Sequence, residues 1–105
     1  MANMDTPTLK QIFLELMHFF AGEGFNAYSK LTVNEEEQLY AVIDFSTIKG
    51  RLVVSAPLIS RLVDDKIYID RDQNYPSLDE RLRRKDVPEN QIVLTYVSGY
   101  EPEKV

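Results

Sequence analysis

Two kinds of hydrophobic periodicity divide the chain. Near its amino end, apolar side chains recur three and four positions apart, which places them on one side of an α-helix: Leu9, Ile12, Phe13, Leu16, Met17 and Phe20. Thr6, Pro7 and Thr8 suit the start of this helix, because a hydroxyl can cap it and proline is tolerated in its first turn. Gly22 and Gly24 are expected to end it.

From residue 27 onwards polar and apolar positions alternate, which is typical of β-strands with one covered face. Four strands are predicted here, over residues 27–33, 38–45, 51–60 and 63–70. The turns between the first three are expected at Glu35, Glu36 and Glu37 and at Lys49-Gly50. Pro57 lies inside the third strand, and since proline donates no ladder hydrogen bond, it predicts an edge position, a bulge or a strand end.

A short helix and a last strand complete the predicted elements. Ser77 to Glu80 match a capping box, and the helix that follows should bury Leu78 and Leu82 and end at Val87-Pro88. Residues 91–97 are apolar on both faces and predict an interior strand. The fold class is therefore α+β: an amino-terminal helix, a mainly antiparallel sheet of about four strands, a short second helix and a final interior strand, in one domain over residues 1–105.

Composition and charge narrow the classes of function. The net charge is −5 at a sequence pI near 4.8, which disfavours direct DNA binding by the chain. Cysteine is absent, which excludes thiolate metal sites and cysteine nucleophiles and fits the cytoplasm. The amino end has no pattern of a secretory signal, and no apolar run is long enough to cross a membrane.

The acidic stretch after the fourth predicted strand begins like a calcium loop. Asp70, Asp72 and Asn74 occupy its first, third and fifth ligand positions, but Tyr75 and Arg81 stand where glycine and a bidentate glutamate are required. The EF-hand interpretation is therefore excluded. A looser Mg²⁺ or Ca²⁺ site on Asp70 and Asp72, in a ligand-binding domain or a small enzyme, stays open beside the alternative that these residues end a strand and lead into a helix.

Three further features bear on chemistry or binding. His18 lies on the polar side of the first helix, and no nucleophile motif accompanies it, so no catalytic residues and no cofactor are predicted. The basic cluster Arg81, Arg83, Arg84 and Lys85 could contact DNA phosphates or an acidic partner, or could pair with Asp79 and Glu80 within the helix. Leu14 lies outside the apolar stripe and indicates a partner contact, which includes a homodimer.

Two blocks of the chain resemble the XisI family, the fdxN element excision controlling factors of cyanobacteria. Residues 64–70 read Asp-Asp-Lys-Ile-Tyr-Ile-Asp, where that family has Asp-Gly-Lys-Ile-Trp-Ile-Gln. Residues 86–94 read Asp-Val-Pro-Glu-Asn-Gln-Ile-Val-Leu, where it has Gly-Val-Pro-Lys-Glu-Asp-Ile-Val-Leu. The resemblance spans residues 38–96. The chain departs from the family pattern at Phe45-Ser46, at Asp86 and at residues 97–99.

The resemblance implies a small α+β domain that acts as an accessory factor in the site-specific excision of a DNA element. It implies protein partners, an XisH-like protein or the recombinase that cuts and rejoins the DNA, and no catalytic residues of its own. The expected function is therefore non-catalytic and mediated by protein–protein contacts.

Overall fold

The computed structural model describes residues 3–24, 26–97 and 99–100. Their elements, in chain order, are α1 (Thr6–Phe20), β1 (Gly22–Gly24), β2 (Ala27–Asn34), β3 (Leu39–Ile48), β4 (Arg51–Val63), β5 (Lys66–Asp72), α2 (Leu78–Arg84), a 3₁₀ turn (Glu89–Gln91) and β6 (Ile92–Leu94). The α+β class is confirmed. None of the helices within the described residues is long and apolar enough to cross a membrane.

Helix α1 forms where its periodicity predicts, with small differences at both ends. The residue that caps it is Asp5 rather than Thr6, because the Asp5 carboxylate accepts a hydrogen bond from the Thr8 amide at 3.1 Å. The helix ends at Phe20 with Ala21 as its C-cap, so the prediction that Gly22 and Gly24 end it is wrong. They flank Glu23 in the short strand β1, which pairs with β2.

One sheet contains six strands in the order of the chain, β1 to β6. The four predicted strands are β2 to β5, joined as antiparallel hairpins, and β1 adds a strand that was not predicted. The prediction of an interior final strand is wrong: β6 is three residues long and lies at the sheet edge, parallel to β5. A strand whose side chains are apolar on both faces is expected to be buried, but it can be buried at the edge of a sheet as well as in its interior. Ile92 of β6 is buried at the edge.

Pro57 marks a β-bulge, one of the three outcomes predicted for it. Val42 lies opposite Leu58 but Asp44 lies opposite Ser55, so β4 contains one residue more than β3 at this point. The carbonyl of Pro57 stays in use, because it accepts the Gln73 amide at 2.8 Å. The bulge therefore places a proline within a central strand without an unpaired amide.

The core lies between the two helices and one face of the sheet. The Phe13 ring of α1 meets Tyr40 of β3 edge to face, with ring centroids 4.9 Å apart. Leu78 and Leu82 of α2 are buried as predicted. The other buried apolar residues share this layer: Leu9, Leu16, Met17, Val42, Leu58, Leu62, Ile67, Ile69, Val87 and Ile92. Both helices therefore cover the same face of the sheet.

Helix α2 ends in a Schellman motif with an aspartate in the left-handed position. The amide of Val87 donates to the Leu82 carbonyl and that of Asp86 to the Arg83 carbonyl, at 3.1 and 3.0 Å. Asp86 has φ 65°, a conformation that favours glycine. This geometry explains the glycine of the XisI pattern at this position.

The substitution Asp86→Gly is therefore expected to raise the free energy of unfolding by about 0.5–1 kcal/mol, because it removes the cost of a left-handed aspartate. Urea denaturation followed by circular dichroism measures the change. Lys85→Gly is the matched control, since Lys85 has φ −95° and gains nothing from glycine. A variant Asp86→Gly no more stable than the wild type would contradict the strain at this position.

Candidate interaction surface

Asp70 belongs to a hydrogen-bond network inside the fold. Its carboxylate accepts two hydrogen bonds from Arg61 of β4, from Nε at 2.7 Å and from Nη2 at 2.9 Å. The Thr95 hydroxyl, just after β6, donates a third at 2.6 Å. Burial raises the pKa of Asp70, but the hydrogen bonds from Arg61 and Thr95 outweigh it and hold that pKa below its usual value of 3.8. Asp70 thus ties three consecutive strands of the sheet together.

Asp72 caps the second helix from a distance. One carboxylate oxygen accepts hydrogen bonds from the amide and the side chain of Asn74, both at 2.9 Å. The other accepts the Leu78 amide at 2.6 Å, at the first residue of α2. Ser77, the predicted cap, makes no capping hydrogen bond and donates to Asp79 instead. The acidic stretch therefore has the structural role of ending β5 and starting α2.

The carboxylate oxygens of Asp70 and Asp72 thus all accept hydrogen bonds from other groups of the chain. In the part of the chain that the structure describes, no group of three or more histidine, cysteine, aspartate or glutamate side chains has the spacing of a metal site. The metal hypothesis finds no support in this geometry.

Substitution Asp70→Asn is expected to cost about 1–2 kcal/mol near pH 7, because an ionised hydrogen-bond partner of Arg61 is replaced by a neutral one. A carboxyl whose pKa is lowered on folding contributes its full stability above its unfolded pKa and loses it as pH falls through the folded value. The difference between wild type and variant should therefore shrink once pH falls below about 4. Urea denaturation from neutral to acidic pH measures it, and a difference independent of pH would contradict the role of the charge.

The predicted basic cluster is largely engaged within the fold. Arg83 pairs with Asp79 at 2.5 Å, as predicted, and also with Glu89 at 2.8 Å. The hydrogen bond that Arg83 donates to Glu89 is the first cause that raises the pKa of Arg83, and the one that it donates to Asp79 adds to it. Arg84 lies 4.0 Å from Glu80 at the surface. This arrangement favours the pairing alternative over a phosphate-binding face.

Arg81 holds the two helices together. Its guanidinium lies over the rings of Phe19 and Phe20 at the end of α1, 4.6 and 5.2 Å from their centroids. Its Nε donates to the Pro76 carbonyl at 3.1 Å. Arg81 therefore packs α2 against α1, and sequence reasoning had no signal for this contact, because the two aromatic residues lie some sixty positions away.

Of the two α1 residues predicted to lie outside the apolar stripe, His18 is exposed and Leu14 is not. His18 is exposed on α1, as predicted. Leu14 is half-buried and packs against the core, so the inference that it lacks contacts within one chain is wrong. The core is therefore wider than the stripe drawn on a helical wheel. A partner contact at Leu14 stays a prediction, without the support of full exposure.

The second face of the sheet carries an apolar surface that the sequence did not single out. Residues paired across neighbouring strands share a face, and successive residues alternate between faces. Tyr28 pairs with Phe45, and Phe45 pairs with Val54, so these three lie on the face opposite the core, with Leu52 beside them. Leu52 and Val54 are 66% and 54% exposed. Strand β3 is apolar on both faces, a pattern that a sheet covered on both sides would show equally.

This open face comprises Tyr28, Ile43, Phe45, Leu52 and Val54. The Tyr28 and Phe45 rings stack with centroids 4.8 Å apart. A shallow cavity of about 300 Å³ lies against them, lined also by Thr47 and Leu52. Neither α1 nor α2 packs on this face in the described ranges 3–24, 26–97 and 99–100. The face is mainly apolar, and Lys30, which pairs with Ile43, lies on it with its ammonium 5.7 Å from the Tyr28 ring centroid.

Opposite charges lie at the two ends of strand β3. The turn before β3 contains Glu35, Glu36 and Glu37, all exposed, with the Asn34 side chain accepting the Glu37 amide at 3.1 Å. The turn after β3 contains Lys49 and Gly50, followed by Arg51. Both turns were predicted. Strand β3 therefore has an acidic turn at one end and a basic turn at the other, and Glu35 is directed to the helix side of the sheet, 3.8 Å from Lys10 of α1.

Comparison with known proteins places these features in a family context. The family model described as XisI protein matches residues 5–104 of this chain. The XisI-like protein of Anabaena variabilis has 16% identity and a TM-score of 0.67, with 90% of this chain and 85% of that chain covered. The fdxN element excision controlling factor XisI of the same organism has 14% identity, a TM-score of 0.59 and 89% of each chain covered. These two likenesses concern the fold. No curated protein matches the chain.

Proposed function

This chain belongs to the XisI family. We propose that it is a cytoplasmic, non-catalytic accessory factor that controls the site-specific excision of a DNA element. The family match over nearly the whole chain carries this proposal. The solved relative named an excision controlling factor shares the fold, which agrees with the same role.

The charged candidates support a role without chemistry. Asp70, Asp72 and Arg83, which could have served a metal or a phosphate, make hydrogen bonds to other parts of the chain. The net charge of −5 also disfavours direct binding to DNA, which is itself negatively charged. The chain would therefore act through proteins that themselves handle the DNA, an XisH-like protein or the recombinase.

A tagged pull-down from the native host, with and without nuclease and read by mass spectrometry, tests this proposal. The expected result is a stoichiometric XisH-like protein or recombinase that remains bound after nuclease treatment, because the contact is between proteins. Recovery of the partner only when nucleic acid is intact would contradict a direct protein contact. Recovery of neither partner would contradict the proposed role.

A further inference from the structure

A small polar cavity lies where α1 begins and where the β2–β3 and β4–β5 turns meet it, on the helix side of the sheet. It has a volume of about 230 Å³. Side chains of α1, of both turns and of strands β3 and β4 line it, among them Thr6, Lys10, Gln38 and Leu62. A concave surface with a few convergent polar groups is the usual form of a ligand site.

Tyr40 lines this cavity with a hydroxyl that the fold does not use. The residue is only 2% exposed, and its ring packs against Phe13 in the core. Its hydroxyl has no hydrogen-bond partner among the residues that the structure describes. It is still accessible, because every fully buried side-chain oxygen or nitrogen of those residues has a partner. Burial raises the pKa of Tyr40 and the Glu35 carboxylate raises it further, so the hydroxyl stays protonated.

The charges around the cavity favour a cation as its ligand. Two carboxylates line it, those of Glu35 and Asp64, against the one ammonium of Lys10. Lys10 lies 3.8 Å from Glu35 and offsets one of the two negative charges. The amino end of α1 would attract an anion, but the Asp5 carboxylate already caps it. An uncompensated negative charge therefore remains beside the Tyr40 hydroxyl.

We propose that this cavity binds a small molecule with a primary ammonium group and a short carbon chain. The three N–H donors of the ammonium match three acceptors of the lining, the carboxylates of Glu35 and Asp64 and the Tyr40 hydroxyl. The carbon chain contacts Leu62. A volume of about 230 Å³ is smaller than that of drug-sized sites, about 300–1,000 Å³, which limits the ligand to a few carbons. This inference rests on the cavity alone and does not depend on the proposed function.

A titration with n-butylamine, followed by proton–nitrogen correlation NMR at neutral pH and constant ionic strength, tests the proposal. We expect saturable shifts with a Kd of about 1–10 mM, confined to the start of α1 and the β2–β3 and β4–β5 turns. The matched ligands are neutral n-butanol and anionic butyrate, which should bind at least ~10-fold more weakly. Butyrate that binds as tightly as n-butylamine would overturn the proposal, and so would an absence of saturable shifts at the cavity.

Two double variants separate contact with the ligand from overall charge. Glu35→Gln with Asp64→Asn removes both lining carboxylates and should raise the Kd of n-butylamine at least ~10-fold. Asparagine suits position 64, where φ is 56°. Glu36→Gln with Glu37→Gln changes the net charge equally from the same turn, but neither residue lines the cavity, so the Kd should change less than ~2-fold. Equal weakening by both double variants would show an effect of overall charge and would overturn the site.

Tyr40→Phe and Lys10→Met test the two remaining polar groups, with circular dichroism as the check that each variant is folded. Tyr40→Phe keeps the ring against Phe13 and removes only the hydroxyl, so it should raise the Kd about 3-fold without lowering the midpoint of urea denaturation. Lys10→Met removes the competing cation and should lower the Kd about 3-fold. An unchanged Kd in Tyr40→Phe, or weaker binding in Lys10→Met, would contradict the proposed contacts.

Discussion

Replacement of Phe13 by alanine is expected to lower the free energy of unfolding by about 3–5 kcal/mol. The Phe13 ring is completely buried and contacts Tyr40 edge to face, so its loss removes both apolar burial and the aromatic contact that fixes α1 on the sheet. The surrounding side chains belong to two helices and several strands and cannot all move to fill the space. A cavity would remain, and it adds to the cost.

Phe19→Ala is the matched control for Phe13→Ala. Phe19 is on the same helix but is 63% exposed, and its contact is with the Arg81 guanidinium. Its replacement should cost no more than about 1 kcal/mol. Urea denaturation of the three proteins measures both changes. If the two substitutions cost the same, the assignment of the core to this face of the sheet would be wrong.

Replacement of Gln91 by leucine is expected to cost about 1–3 kcal/mol, although leucine has nearly the same size. The buried Gln91 side chain accepts the Met4 amide at 2.7 Å and donates to the carbonyls of Met4 and Asp65, at 3.0 and 2.8 Å. Leucine would leave these backbone groups without their partner, and because they are only partly buried, the cost of each lies at or below the lower end of the about 1–3 kcal/mol for a fully buried unsatisfied group. The substitution would therefore loosen the amino end, the β4–β5 turn and β6 at once.

Gln11→Leu is the corresponding control, because Gln11 is exposed on α1 and its side chain only approaches Glu15, at 3.4 Å. It should change the free energy of unfolding by less than about 0.5 kcal/mol. Hydrogen exchange can locate the effect of Gln91→Leu, with faster exchange expected at Met4 and in β6. Unchanged exchange at both places would show that Gln91 does not anchor these segments.

Local patterns predicted the fold well because they depend on neighbouring residues. The period of α1, the alternation of β2 to β5 and the inward side of α2 all follow from where apolar residues recur. The missing amide of Pro57 predicted an edge position, a bulge or a strand end, and the structure has the bulge. Contacts between distant positions could not be predicted, because no short pattern encodes them. The cap that Asp72 gives to Leu78 and the packing of Arg81 on Phe19 are of this kind.

At the candidate site, too, local patterns were predicted from the sequence and contacts between distant residues were not. The sequence drew attention to charged residues, Asp70 and Asp72 among them, but charge alone does not reveal whether a partner lies within the chain. The structure pairs both and leaves an apolar face open instead. That face could not be predicted, because strands that are apolar on both sides are equally expected in a sheet covered twice. Only the position of both helices on one side distinguishes the two cases.

If this chain controls the excision of a DNA element without performing chemistry, as proposed, its loss should change excision in the native host. The recombined junction can be quantified by amplification in the wild type, in a deletion strain and in deletion strains complemented with the wild type or with Asp70→Asn. We expect the deletion to change the frequency of excision at least ~10-fold and both complementing proteins to restore it. An excision frequency that the deletion leaves unchanged would contradict the account.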